Sequence, residues 1–125
     1  FALNFIVEGQ KICFSGDTAY LPSLASFAES ARILVHEAML ESGVGYITAK
    51  AGNTDGRLYR HLIDSHSFAH EAGRIAHDAG VELLVLSHLI PAERDVADDD
   101  DWVAEVRKCF SGSVLVGVDG MQIPF

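Results

Sequence analysis

The sequence predicts an α/β domain, and three observations carry that prediction. Short apolar runs at residues 12–14, 33–35 and 81–86 are bounded by polar residues, as strands buried in a sheet are. Stretches with apolar residues at helical spacing lie between and after these runs, supplying helices to flank the sheet. Each run is followed closely by a group that can bind a metal or carry a proton: Asp17, His36 and His88. In open α/β sheets ligands bind beyond the carboxyl ends of the strands, so the three are expected on one rim.

Residues 1–7 and 11–15 flank Glu8-Gly9-Gln10 and read as a β-hairpin with a glycine-containing turn. Imperfect alternation in the first arm suits an edge strand. The second arm closes on Ser15-Gly16-Asp17-Thr18, where glycine permits a sharp turn and leaves a carboxylate held at the end of a rigid strand. Pro22 suits a first helical turn, and Leu24, Phe27 and Ala28 follow at helical spacing. Ile33-Leu34-Val35 then reads as a fully buried strand that ends in His36-Glu37. Residues 41–64 are the least regular. Gly43, Gly45, Gly52 and the Asn53-Thr54-Asp55-Gly56 turn signal predict a long glycine-rich connection. Ser65 or Ser67 is expected to cap the next helix, with Phe68, Ala72, Ile75, Ala76 and Ala79 on one face and Gly80 as its stop. Residues 81–86 carry the strongest buried-strand pattern and end in Ser87-His88. The acidic run 98–101 opens a further helix, where negative side chains meet the positive end of the helix dipole. Trp102, Val103, Val106 and Phe110 form its buried stripe. A second hairpin is expected at the end, residues 113–118 and 121–123 joined by Asp119-Gly120.

At 125 residues the chain is at most one domain. Apolar residues at 49% and charged residues at 22% favour a packed core over disorder. A net charge of −9 argues against an unassisted nucleic-acid surface, which rests on clustered Lys and Arg. Among the scattered cations, Arg57, Arg60, Arg74 and Arg94 are the candidates to face an anionic substrate. Cys13 and Cys109 form no C-x-x-C pair, which reads as buried thiols in a reducing compartment and a cytoplasmic location. No apolar run reaches membrane-spanning length and no secretory pattern opens the chain, so no membrane partner is expected. The chain opens on Phe1 inside a strand-like segment, as a piece of a longer protein would.

Asp and His supply the oxygen and nitrogen donors that suit Zn²⁺ or a similar divalent ion, so Asp17, His36 and His88 form a candidate metal site. For each alone, a satisfied structural group is the plainer reading. His66 and His70 stand four residues apart, a spacing that can place two imidazoles on one metal. However, His70 shares its helix face with Glu71, Arg74, His77 and Asp78, a solvated polar face. His66 sits at a helix start, where it can hydrogen-bond an anion or shuttle a proton. His61 has no supporting pattern. No serine lies in a G-x-S-x-G elbow, neither cysteine has an electropositive setting, and no Walker-type loop is present. Residues 98–101 lack the alternating spacing and glycine of a calcium loop.

Four short motifs occur in a telling order: Ser15-Gly16-Asp17-Thr18, Leu34-Val35-His36-Glu37-Ala38, His66-Ser67 and Leu84-Val85-Leu86-Ser87-His88. Together they resemble the second half of a metallo-β-lactamase-fold hydrolase, in the ribonuclease Z and arylsulfatase-like branch. The resemblance spans nearly the whole chain and implies the C-terminal half of an αββα four-layer sandwich over residues 1–125. It implies that Asp17 bridges two divalent ions, zinc or manganese, and that His88 is a terminal ligand of one. It further implies that Glu37 and His66 act as a proton relay, which makes His36 a neighbour of Glu37 and not a ligand. The leading metal signature of that family, His-x-His-x-Asp-His, does not occur here, so this chain alone is expected to hold too few ligands and to be inactive. Met39 and Phe68 stand where the ribonuclease Z branch usually carries Thr.

These departures and the charge favour a general metal-dependent hydrolase acting on a small phosphodiester, sulfate or other ester, with RNA disfavoured. Ribonuclease Z proper is one alternative reading and a non-catalytic α/β binding or scaffold domain is another. Half of such a fold leaves one sheet face uncovered, and a homodimer is therefore expected.

Overall fold

The computed structural model describes residues 1–52 and 55–124, so the Asn53-Thr54 part of the turn signal lies outside the described residues. Two strands open the chain, β1 (Leu3–Val7) and β2 (Gln10–Phe14), paired antiparallel. Glu8 and Gly9 both take positive φ, +50° and +80°, between the paired Val7 and Gln10. This is the backbone handedness that matches the twist of a tight hairpin. Helix α1 (Ser23–Phe27) follows Pro22 and leads to β3 (Ile33–Met39). Helices α2 (Glu41–Lys50), α3 (Arg57–Ser65) and α4 (Ala69–Ala79) come next, then β4 (Leu83–Ile90), α5 (Asp99–Arg107) and β5 (Ser113–Val116).

The strands form one mixed sheet in sequence order, β1-β2-β3-β4-β5, antiparallel at the hairpin and parallel from β2 onward. β1 is the edge strand. Helices α1 and α5 both pack on α4, and α4 and α5 pack on the strands, so a single helical layer covers one face. Its core joins Cys13, Leu34, Leu84, Leu86 and Val116 of the sheet to Ala72, Ile75, Ala76, Trp102 and Val106 of the helices. Burying one Leu or Ile side chain contributes about 1.5–3 kcal/mol, and this face carries most of that gain.

The opposite face is different. Leu3 and Phe5 stand across from Phe14 and Ile12, and the same side continues through Val35, Val85 and Leu115. Leu3, Phe5, Phe14 and Leu115 are 53%, 49%, 39% and 39% exposed. Phe5 and Phe14 meet edge to face, with ring centroids 5.7 Å apart. An apolar stripe of this extent is left exposed on this face of the sheet.

Three expectations need correction. Residues 41–64 are not a glycine-rich connection, because α2 and α3 occupy most of them. Gly43 is buried in α2 for a packing reason: a Cβ there would lie 2.1 Å from Pro91 Cδ and 2.6 Å from Pro91 N. Its glycine is a close-approach residue and not a breaker. The final hairpin does not form either. β5 pairs parallel with β4, Gly117 N–H donates to Leu86 O, and residues 118–124 are turn and coil with no strand. Finally, neither serine caps α4. Phe68 is the N-cap residue, and its N–H donates to the Glu71 carboxylate at 2.8 Å. Gly80 ends the helix in the left-handed conformation, at φ +64°. At α5, Asp98 caps the helix by accepting from Asp101 N–H at 3.1 Å, and Trp102 and Val106 are buried.

Candidate active site

The rim at the carboxyl ends of β2, β3 and β4 is assembled from backbone irregularities. β2 stops at Phe14, but Ser15 N–H still donates to Val35 O at 2.9 Å, which holds the next residues against β3. Ser15 is buried; its hydroxyl accepts from Glu37 N–H at 3.1 Å and donates to Gly16 O at 2.7 Å. Gly16 then turns at φ +63°, with its Cα so close to Phe1 that a Cβ would lie 2.7 Å from Phe1 O. The turn delivers Asp17 to the surface. Thr18 N–H comes back inward to donate to Glu37 Oε1 at 2.7 Å, and Thr18 O accepts from the Ser67 hydroxyl at 2.7 Å. Ser67 O in turn accepts from Met39 N–H at 2.9 Å. The loop after β2 and the entry to α4 are thereby tied around one side chain, Glu37.

β3 runs four residues further than the sequence pattern predicts, so His36 and Glu37 lie within it. His36 faces the helices, 1% exposed, with Nδ1 2.7 Å from Glu37 O. It does not join the rim, which corrects its place among the three strand-end candidates. Burial holds its imidazole below the usual histidine range, partly offset by that backbone contact. The neutral form therefore donates Nδ1–H to the carbonyl.

His88 reaches the rim by a bulge. Glu37 pairs with Ser87 and Ala38 with Leu89, so His88 is an extra residue in β4, at φ +44°. A bulge of this kind turns a side chain out of the ladder, at a local backbone cost of about 1–3 kcal/mol that the surrounding strands absorb. Its Nε2 stands 3.6 Å from Asp17 Oδ2, and both side chains are half exposed.

His66, at the C-cap of α3, stacks on His88 with ring centroids 5.4 Å apart and planes 21° apart. Its Nδ1 is 3.1 Å from both Oε1 and Oε2 of Glu37. Glu37 is 1% exposed. Burial pushes its carboxyl above the usual range, opposed by the backbone N–H of Thr18, the charge and hydrogen bond of His66, and the Ser67 backbone. The carboxylate fixes the tautomer: Nδ1–H of His66 donates to Glu37 and Nε2 points away.

The Asp17–His88 separation bears on metal binding. At 3.6 Å it is too long for a hydrogen bond. Two donors each about 2.1 Å from a tetrahedral ion stand about 3.4 Å apart, so the pair fits one edge of a zinc-like coordination shell. Among the described residues no cluster of three or more His, Cys, Asp or Glu could complete that shell. The other histidines lie elsewhere: His70 pairs with Glu105 at 3.7 Å and stacks on Phe68, and His61 contacts Ser65. His66 and His70 therefore do not converge. Of the arginines, Arg57 pairs with Asp55 at 2.6 Å and Arg74 lies 3.8 Å from Cys109 Sγ. Arg94 pairs with Asp99 at 2.9 Å and borders a pocket of about 330 Å³ that His88 also lines. Cys13 is fully buried and Cys109 half-buried, both as free thiols.

Sequence reasoning missed Ser15, Thr18 N–H and Ser67 as the hydrogen-bonding frame of Glu37. The Ser-Gly-Asp-Thr and His-Ser pairs carried the signal, since small hydroxyl residues beside turns often bond the backbone.

No family model matches the chain. The metallo-β-lactamase-fold protein YhfI from Bacillus subtilis superimposes with a TM-score of 0.71 and 26% identity, covering 96% of this chain and 41% of that one. This chain has the metallo-β-lactamase fold, of the ribonuclease Z-like kind. The short form of human tRNase Z shares that fold at a TM-score of 0.58 and 22% identity, over all of this chain and 38% of its own. In sequence, the ribonuclease Z of Thermobifida fusca is 34% identical over 121 residues, 96% of this chain and 33% of that protein. The Myxococcus xanthus ribonuclease Z is 32% identical over 115 residues, again 33% of its length. The chain thus spans about a third of the curated relatives it matches.

Proposed function

We propose that this metallo-β-lactamase-fold chain contributes one wall of a metal-dependent ribonuclease Z-like active site that hydrolyses a phosphodiester in RNA. The observation that carries the reading is the Glu37–His66 pair, held beside the Asp17–His88 edge with the His66 ring stacked on His88. The named relatives favour this over the small-ester hydrolase expected from sequence. A charge of −9 weighs little against it, because the stretch is only a third of its relatives' length.

Asp17 and His88 would hold a divalent ion, zinc or manganese. Such an ion supplies Lewis acidity and a water of lowered pKa near neutral pH. This chain's own contribution is proton management. Ionised Glu37 orients His66 through Nδ1–H and stabilises its imidazolium form. His66 Nε2 then gives its proton to the departing oxygen, and the neutral ring keeps Nδ1–H on Glu37. Thr18 N–H and the Ser67 backbone fix the carboxylate and the Ser15 hydroxyl holds the Glu37 backbone N–H, so little reorganisation accompanies the transfer.

The rest of the ligand set is proposed to come from the other half of a sandwich, for which residues 1–125 form the C-terminal half. In a protein containing both halves, Asp17→Ala and His88→Ala should each lower bound metal and abolish cleavage of a tRNA precursor. Unchanged metal content and unchanged cleavage in Asp17→Ala would refute the proposal.

A further inference from the structure

Between the start of α2, α3, the entry to α4, and α5 lies a groove of about 820 Å³. Its floor is apolar: Met39 and Leu40 are buried, and Ile63, Phe68 and Val96 are half-buried. Met39 and Phe68 meet there as an isolated parallel bridge, so two sequence-distant residues make one surface. Its border is acidic. Glu41 and Asp101 are exposed and Glu105 is half-exposed, and Asp98, Asp99 and Asp100 continue the charge around the start of α5. Of the basic side chains on that border, Lys108 pairs with Glu105 and His70 Nδ1 lies 3.7 Å from it, which leaves Glu41 and Asp101 uncompensated by Lys or Arg side chains among the described pairs. Asp101 spends one oxygen on Asp98 N–H.

From this charge arrangement we infer that the groove docks a basic amphipathic protein segment, with apolar side chains on Phe68 and Lys or Arg against Glu41 and Asp101. The span from Asp101 to Lys108 is about 10 Å of helix, which suits two to three turns of a partner helix. Nucleic acid is the wrong charge for this border, and a neutral apolar ligand would leave its carboxylates without partners. The inference does not depend on the proposed hydrolysis.

The test is a fluorescence-anisotropy titration of this chain with a labelled 14-residue helical peptide. The probe carries Leu at i, i+4, i+7 and i+11, and Lys or Arg elsewhere. A control peptide keeps the leucines and replaces the cations by Glu. The basic peptide should bind at micromolar concentrations and weaken with added salt, and the acidic one should bind at least tenfold more weakly. Glu41→Lys should weaken binding about five- to tenfold, and Phe68→Ala at least tenfold, with circular dichroism unchanged in both. Phe5→Ser, on the opposite sheet face, should leave affinity as it is. Equal binding of both peptides, or loss with Phe5→Ser and not with Glu41→Lys, would overturn the inference.

Discussion

Replacing Glu37 by Gln separates the proposed proton relay from the fold. The carboxylate accepts from Thr18 N–H at 2.7 Å, from His66 Nδ1 at 3.1 Å, and from the Ser67 backbone. An amide of the same shape keeps one acceptor, enough for Thr18, but turns an N–H₂ toward His66. Nδ1–H can then keep only the amide oxygen that it shares with Thr18 N–H, and the anion beside the ring is gone. Losing charge assistance from two or three hydrogen bonds costs about 1 kcal/mol each. Relief from ionising a carboxyl that is 1% exposed offsets much of this, so net stability should change by no more than about 1 kcal/mol. Catalysis has no such offset. Without the anion to stabilise imidazolium, acid assistance of about 10²- to 10⁴-fold is lost, or about 3–5 kcal/mol of barrier. The assay is kcat for cleavage of an RNA precursor by a protein containing both halves, with bound metal and thermal midpoint measured in parallel. The expected result is a hundredfold or greater loss of kcat with metal content and midpoint nearly intact. Activity within twofold of the parent, or parallel loss of metal and activity, would refute the relay.

Further expectations follow from packing, burial and the open face. Gly43→Ala forces a methyl into Pro91 and should cost about 2–3 kcal/mol, read as a lower denaturant midpoint at unchanged slope. His36, whose folded pKa lies below its unfolded value, should lose stability as pH falls through about 6.5 toward the folded value. Denaturant midpoints between pH 7.5 and 5 should show that loss, and His36→Phe should remove most of it. The chain by itself should self-associate through its uncovered sheet face, and a Phe5→Asp, Leu115→Asp double variant should shift sedimentation toward monomer. Unchanged sedimentation would place the contact elsewhere.

The parts of this fold that could be read from sequence are those governed by short-range patterns. Residues 81–86 showed as a buried strand because one strand pattern sufficed, and α4 showed because Ala72, Ile75, Ala76 and Ala79 repeat and Gly80 ends them. What failed required knowledge of neighbours. Gly43 and Gly45 read as breakers because the proline that demands Gly43 lies 48 residues downstream. Residues 113–123 read as a hairpin because Asp119-Gly120 is a good turn, yet β5 takes its partner from β4 and leaves the last residues unpaired. At the site, Asp17, Glu37, His66 and His88 were recognisable as residue types, and the Glu37–His66 contact was expected. His36 was misplaced because nothing in the run 33–35 announces that the strand continues to Met39.

The bulge at His88 has a consequence that concerns length more than chemistry. Between the pairs Ile33–Leu83 and Met39–Ile90, β3 spends seven residues and β4 eight. The outward histidine is therefore specified by a mismatch of one between two strand lengths. Deleting any single residue from 86–89 would restore a regular ladder and close the rim with every other side chain still present. Conversely, no substitution at position 88 alone would remove the bulge. In this sheet, the outward placement of His88 resides in an arithmetic remainder.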